Sequence, residues 1–346
     1  MGRSFFWHDR FDGAHEVTLT RILHLVPSWE HVGALRRIGM LASHLEAEAY
    51  EHHVVALAGV GPDPAAIVRR TMPRTSLAAG PRLSIALTFR LRSLVYDWRA
   101  DIVHAWSEGA ARLARVALLG ISTARTVEIP PSEMTPAVDH RRLLDEAKGG
   151  MSRDQLQAEL ALPPQARLLG TAGRLTREKC VIELLWALDQ IRCVRDDVYL
   201  LVIGDGDARS LFERYARLYE VADRVRFLGW RSDSAALIER LDVFCSASSA
   251  SGASLAMLEA MALGVPVVAS DTAAHRALVA PSETGFLVNV RQRSEMARWC
   301  LRVLEDKSLA ERMTAAAKRR AIDRFPVERF AAACQALYAP RRPAAG

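Results

Sequence analysis

Short apolar runs recur through the second half of this chain, most of them followed by a turn and a stretch of helical periodicity. Residues 167–171 (RLLGT), 198–203 (VYLLVI), 225–228 (VRFL), 242–245 (DVFC) and 265–269 (VPVVA) read as buried strands. Helical stretches at 178–194, 207–219 and about 255–263 alternate with them. An edge strand is expected at 286–288, and helices at 294–305, 309–324 and 327–337 close the chain. Strands that are apolar on both faces and alternate with helices specify parallel βαβ units, not hairpins. The first half repeats the pattern less regularly. Its expected strands are 21–27 (RILHLVP), 53–57 (HVVAL), 101–104 (DIVH) and 126–129 (TVEI), and its helices 34–45, 82–99 and 109–119. The Pro/Gly-rich interval 59–81 reads as loop. The fold class is therefore α/β, two Rossmann-like doubly wound units in tandem, with ligands expected at the carboxyl ends of the strands.

A length of 346 residues fits two domains. The expected division is 1–138, a linker at 139–164, 165–325, and a terminal helix and tail at 326–346 that packs back on the first unit. Half the residues are hydrophobic and a quarter charged, which excludes a disordered or collagenous chain. No uncharged run reaches the ~20 residues of a membrane span. Residues 1–17 carry Asp, His and Arg among their aromatics, so no signal-peptide core is expected there.

The net charge is +6, and with only four lysines among 46 basic residues it is carried by arginine. That excess is too diffuse to argue for nucleic acid. It fits an anionic small ligand or an anionic membrane surface. Segment 82–99, with Arg82, Arg90, Arg92 and Arg99 among apolar residues, reads first as a helix packed on the first sheet. Its alternative is a peripheral helix at the inner face of the membrane. Five cysteines, none in a C-x-x-C pair, suggest reduced thiols, a cytoplasmic location and no zinc site.

Two constellations carry chemistry. In L-L-G-T-A-G-R-L-T-R-E-K, Gly173, Arg174 and Lys179 lie between a strand and a helix. Two cations beside helix-terminal N–H groups can cradle a diphosphate, although alone the motif reads as well as a solvated loop. In S-G-A-S-L-A-M-L-E-A-M-A-L-G-V-P-V-V-A-S, residues 251–270, Glu259 stands on an otherwise apolar helix. An ionised carboxylate there needs a partner, and two ribose hydroxyls would satisfy it. An exposed face of an amphipathic helix is the simpler alternative.

On these residues the second half resembles the nucleotide-sugar-binding domain of the group 1 (family 4) glycosyltransferases, which have the GT-B fold. The similar stretches are G-R-L-x-x-x-K at 173–179, L-L-V-I-G-D-G at 200–206 and V-R-F-L-G at 225–229. They continue with L-E-A-M-A-L-G-V-P-V-V-A-S at 258–270, T-G-F-L-V at 284–288 and a closing R-F-P-V-E-R-F. The first half is similar more weakly, through L-H-L-V-P-S at 23–28 and D-I-V-H-A-W at 101–106. The resemblance implies a nucleoside-diphosphate sugar donor of UDP or GDP type, used as substrate with no cofactor and no metal, and transfer with retention. Arg174 and Lys179 would stabilise the departing diphosphate. Gly33, Gly173, Gly229, Ser251, Gly252, Leu255 and Glu259 would contact the donor, with Glu259 on the ribose. Leu228, Gly229 and the backbone near Trp230 would line the base pocket. His104 and Trp106 are cleft candidates, His104 as a catalytic group, against the alternative of a satisfied strand-end histidine. The acceptor, a glycan, lipid or small molecule, is unspecified.

Departures from the family pattern bear on activity. Ser251 stands where an acidic residue is usual, and Val32-Gly33-Ala34-Leu35 keeps one glycine of a paired loop. Ala273-Ala274 replace paired glycines, and Cys180 stands where glycine is common. A histidine often found after 125–129 is absent, and the first unit reads as shortened. The expected function is a retaining glycosyltransferase. The alternatives are a degenerate relative that keeps the fold and nucleotide binding, and a sugar-nucleotide epimerase of the same fold.

Overall fold

The computed structural model describes residues 19–63, 67, 72–77, 85–121, 123–128, 136–250, 252, 254–289, 292 and 294–339. The expectations at residues 1–17, Arg82 and Ser251 lie outside them.

The first unit opens with β1 (Thr20–Ser28), α1 (Val32–His44), β2 (Tyr50–Ala58) and β3 (Arg74–Ser76). It continues through α2 (Ile85–Asp97), β4 (Ile102–Ala105), α3 (Glu108–Ala117) and β5 (Arg125–Glu128). Its five strands run parallel in the order β3-β2-β1-β4-β5. β3 falls within the interval expected as loop; with three residues it is too short to show a periodicity.

The chain then forms α4 (His140–Lys148) and α5 (Arg153–Glu159) within the stretch 139–164 expected to link the two units. Gly149 and Gly150 separate them, and Ser152 and Gln155 form a reciprocal capping box that starts α5. This connecting stretch packs on the second unit: Leu143, Ala147, Leu156 and Leu162 share the core beneath the second sheet. A Cβ at Gly150 would meet Ala236 Cβ at 2.2 Å, so that glycine permits the close approach.

The second unit runs β6 (Arg167–Ala172), α6 (Val181–Arg192), β7 (Val198–Ile203), α7 (Arg209–Leu218), β8 (Val225–Gly229) and α8 (Ser234–Glu239). It continues β9 (Val243–Ser246), α9 (Leu255–Leu263), β10 (Val267–Ser270), α10 (Ala273–Leu278), β11 (Phe286–Val288), α11 (Ser294–Glu305) and α12 (Lys307–Arg324). Its six parallel strands lie in the order β11-β10-β9-β6-β7-β8, one strand more than the first sheet. Cores lie on both faces, one gathering α8, α9 and α12, the other α6, α7 and α11. α6 begins later than the expected helix, because a 3-10 turn at Arg177–Lys179 precedes it.

The last helix, α13 (Val327–Tyr338), returns to the first sheet. Phe330, Ala331, Cys334 and Tyr338 join α1, Ile22, Val54 and Trp106 in one core, and α2 and α3 cover the opposite face. The two passages between the units touch: Val138 N–H donates to Phe325 O at 2.8 Å, and Val138 bridges Pro326. Two α/β layers with parallel sheets are thus joined through paired strands of chain.

Candidate active site

Three loops at the carboxyl edge of the second sheet are knitted together. Gly173 N–H donates to Ile203 O (2.9 Å), Leu175 N–H to Asp205 O (2.8 Å), and Gly204 N–H to Gly229 O (2.7 Å). Gly204, at φ +129°, lies so close to this lattice of bonds that a Cβ would sit 2.0 Å from Gly173 O. Asp205 is spent within the turn: one carboxylate oxygen accepts from Gly206 N–H at 2.8 Å and the other from Arg209 Nη1 at 3.0 Å. Asp205-Gly206-Asp207 is therefore a strand-end turn.

Gly173, at φ +141°, leaves the backbone open beneath Lys179, whose Cε and Nζ would be 3.6 and 3.8 Å from a Cβ there. The Lys179 side chain thus folds back over the end of β6. Burial, and after it the charge of Arg174, lower the ammonium's pKa, while Glu178 acts the other way. Neither Arg174 nor Lys179 forms an ion pair with an acidic side chain among the described residues. Two neighbouring cations without counter-ions suit an anion. The loop after β9 holds this turn from the side: Ser249 N–H and the hydroxyls of Ser248 and Ser249 all donate to Glu178 O.

Glu259 sits on α9, a helix apolar all round and correspondingly buried, and is only 4% exposed. Its partner comes from the first unit. Arg36 Nη1, on α1, lies 3.1 Å from both carboxylate oxygens, and Arg36 Nη2 reaches Glu146 Oε2 at 3.0 Å. Arg142 Nε completes the chain by donating to Glu146 Oε1 at 2.8 Å. Burial raises the Glu259 pKa and Arg36 is the strongest influence against it; Glu146 raises it further, and Arg37 and Arg142 oppose. Arg36, Arg142, Glu146 and Glu259 line a cavity of about 20 Å³ with Leu255, room for about one water. The expectation that Glu259 needs a partner is met in the ligand-free chain by Arg36, a residue sequence reasoning did not single out.

Gly33 and Gly252 each face open space, since a Cβ would meet nothing within 4 Å. Gly229, at φ +69°, has the left-handed conformation that favours glycine, and its carbonyl closes the Gly204 contact. Trp230 packs against the first unit's core, as do Val32 and Ala34 of α1, and His31 before them lies near enough to Arg174 to feel its charge. α1 therefore begins between the two sheets, near the ends of the second unit's strands.

Two histidines unremarked in the sequence stand near the cations. His31, N-cap of α1, bonds Ser28 Oγ through Nδ1 at 3.0 Å. Its pKa falls to about 4, first through burial and then through the charge of Arg174. His275, on α10, is buried and donates from Nδ1 to Ser270 O at 2.7 Å. Burial lowers its pKa, with Lys179 adding to the effect. Neither lies in a motif, so only their position after a strand could have pointed to them.

His104 is corrected by the structure. It is 0% exposed, with Nδ1 2.6 Å from Tyr338 Oη and the ring stacked on Trp106. Trp106 is also buried and donates from Nε1 to His24 Nδ1 at 3.3 Å. Both side chains face α13 in the first unit's core, not the loops that carry Arg174 and Lys179. Among the described residues no group of three or more His, Cys, Asp or Glu is placed to hold a metal.

Comparison with known proteins agrees with this architecture. Residues 152–320 match the family model "Glycosyl transferases group 1", and residues 33–129 match "Glycosyltransferase Family 4". A phosphatidyl-myo-inositol mannosyltransferase of Mycobacterium leprae is 30% identical over 248 residues, 69% of this chain and 62% of that protein. The lipopolysaccharide core biosynthesis glycosyltransferase LpsE of Rhizobium meliloti is 29% identical over 157 residues, 45% of each chain. The matches thus span about half to three-fifths of these relatives' length. The structure of HepE from Anabaena in complex with UDP and glucose superposes with a TM-score of 0.74 at 19% identity, covering 93% of this chain and 100% of that one. With both units matched in order and the two-sheet fold shared, the chain belongs to the group 1 (family 4) glycosyltransferases of GT-B architecture.

Proposed function

We propose that the protein transfers a sugar from a nucleoside-diphosphate sugar, of UDP or GDP type, to an acceptor held by the first unit. Transfer proceeds with retention and without a divalent metal. The observation that carries this reading is the pair Arg174 and Lys179, two cations at the carboxyl edge of the sheet that form no ion pair among the described residues. As the glycosidic bond breaks, negative charge accumulates on the β-phosphate. Cations already in place stabilise that charge without reorganisation. Glu259 accepts the ribose hydroxyls, and the open backbone at Gly33 and Gly252 lets the donor approach closely. Ser251 supplies no carboxylate toward the sugar, so the electrostatic work rests on the two cations.

The donor side comprises residues 165–325 and the acceptor side 1–138, with α13 attached to it. The relatives' names, a phosphatidyl-inositol mannosyltransferase and a lipopolysaccharide core enzyme, favour a lipid or glycan acceptor. Among the described residues no helix is long and apolar enough to cross a membrane. We place the protein in the cytoplasm with a peripheral membrane contact through α2, whose outer face exposes Ile85, Phe89 and Tyr96.

Titration with UDP and with GDP tests the donor site. Arg174→Ala and Lys179→Ala should each weaken the nucleotide that binds by at least about tenfold, roughly 1.4 kcal/mol, with the thermal midpoint nearly unchanged. Undiminished binding in both variants would remove the diphosphate role.

A further inference from the structure

The ion pair between Arg36 and Glu259 joins residues 223 positions apart and crosses from one unit to the other. A single nitrogen, Nη1, serves both carboxylate oxygens, while Nη2 is held by Glu146. An ionised carboxylate has about four acceptor positions, so this arrangement leaves roughly half of them for hydroxyl donors. Arg36 is itself fixed from two sides, by Glu146 on α4 and, at 3.4 Å, by Ser234 Oγ on α8. The carboxylate is thus aimed by a residue of α1, whose beginning lies at the mouth between the units.

We infer that Arg36 is a positioning residue for the donor site: it holds the Glu259 carboxylate in place as a hydroxyl acceptor, so that gripping the ribose requires the first unit to be seated on the second. This rests on the reading of Glu259 as the ribose acceptor. Its consequence is electrostatic. The charged groups facing Glu259 are Arg36 and Arg37 from α1, Arg142 and Glu146 from α4, and Asp139 at the cap of α4. Arg36 is the foremost of those that hold the carboxyl ionised. Without it, a buried carboxyl beside Glu146 takes up a proton at higher pH. Nucleotide binding then falls more steeply toward acid pH than in the native chain, where burial already raises the Glu259 pKa and Arg36 opposes it.

The test titrates the full chain with UDP-glucose and GDP-mannose, whose diphosphates carry no terminal phosphate that titrates in the range, between about pH 6 and about pH 8. Native affinity should change by less than about threefold, whereas Arg36→Met should bind at least about tenfold more weakly at the acid end than at the alkaline end. Arg36→Lys, which restores the charge, should return a flat profile. Arg36→Met with native affinity and a flat profile, while Glu259→Gln loses binding, overturns the positioning role and leaves the ribose role standing. Glu259→Gln that binds like the native chain, or a native chain that binds neither nucleotide, overturns the underlying reading and this inference with it. Thermal melting checks that each variant folds. If Arg36→Met does not fold, Arg36→Lys decides: a flat profile supports the role, and a pH-dependent or lost affinity overturns it.

Discussion

Cys180 holds φ +48° and ψ +38°, a left-handed conformation between the turn that carries Lys179 and the first residue of α6. For a residue with a Cβ that conformation costs ~1–2 kcal/mol, whereas glycine adopts it freely and gives back ~0.5–1 kcal/mol in the unfolded chain. Cys180→Gly should therefore stabilise the protein by about 0.5–1 kcal/mol and raise the thermal midpoint by roughly 1 °C. A lowered midpoint would mean that the thiol's contacts with Glu178 O and Ser249 Oγ outweigh the strain. The meeting of Gly173, Arg174 and Lys179 at the end of β6 was legible because they are contiguous: a strand, a glycine and two cations lie within a few positions. Glu259 was legible as a charge in need of a partner. Arg36 was not, because no local pattern records that α1 lies against α9. His104 was misjudged for the same reason, since strand alternation cannot tell a cleft from a core helix, and Tyr338 lies 234 positions away.

Helix α2 buries Leu87, Leu91 and Val95 against the first sheet and leaves Ile85, Phe89 and Tyr96 outward at helical spacing. Arg92 stands in the same stripe and donates to Ala117 O and Leu119 O, so the exposed Val116 and Leu119 at the end of α3 extend the apolar face. An apolar face with arginines about it binds at an anionic interface through buried area and charge together. The protein should sediment with vesicles containing phosphatidylglycerol, and the double variant Phe89→Glu, Tyr96→Glu should reduce the bound fraction severalfold. Native protein that stays in the supernatant would contradict a membrane role for this face. The elements that the sequence reading missed are the short ones, β3, α8 and α10, which span less than two helical turns or one strand repeat. The longer strands and helices were legible because parallel strands buried on both faces are uniformly apolar.

The two units meet along one seam, made by the paired passages at Val138 and Pro326, the Arg36–Glu259–Glu146 network, and α13 laid on the first sheet. α13 is fastened there by Tyr338 to His104, within a buried group that includes His24 and His52. Burial, and then His52, push the His104 pKa from its ordinary 6.5 down to about 3. Because the folded value lies below the unfolded one, the unfolded chain binds the extra proton between them. Stability is then full above about pH 6.5 and falls as the pH drops toward 3, by at most about 1.4 kcal/mol per pH unit for this group. Urea unfolding over this range should show the decline, with a shallower slope in His104→Gln. An unchanged slope would assign the acid limb to other groups, among them His24, whose pKa burial also lowers.

The donor site proposed above draws on both units: Arg174 and Lys179, which form no ion pair among the described residues, and Glu259, which accepts from Arg36 of α1. Incubation with UDP- and GDP-sugars, following release of free nucleotide, tests it most directly. Nucleotide should be released from one donor class by the native chain, and Arg174→Ala and Lys179→Ala should each slow release by at least about a hundredfold. Binding without release would identify a chain that keeps the fold and the nucleotide site but not transfer, and release undiminished in both variants would contradict the site itself.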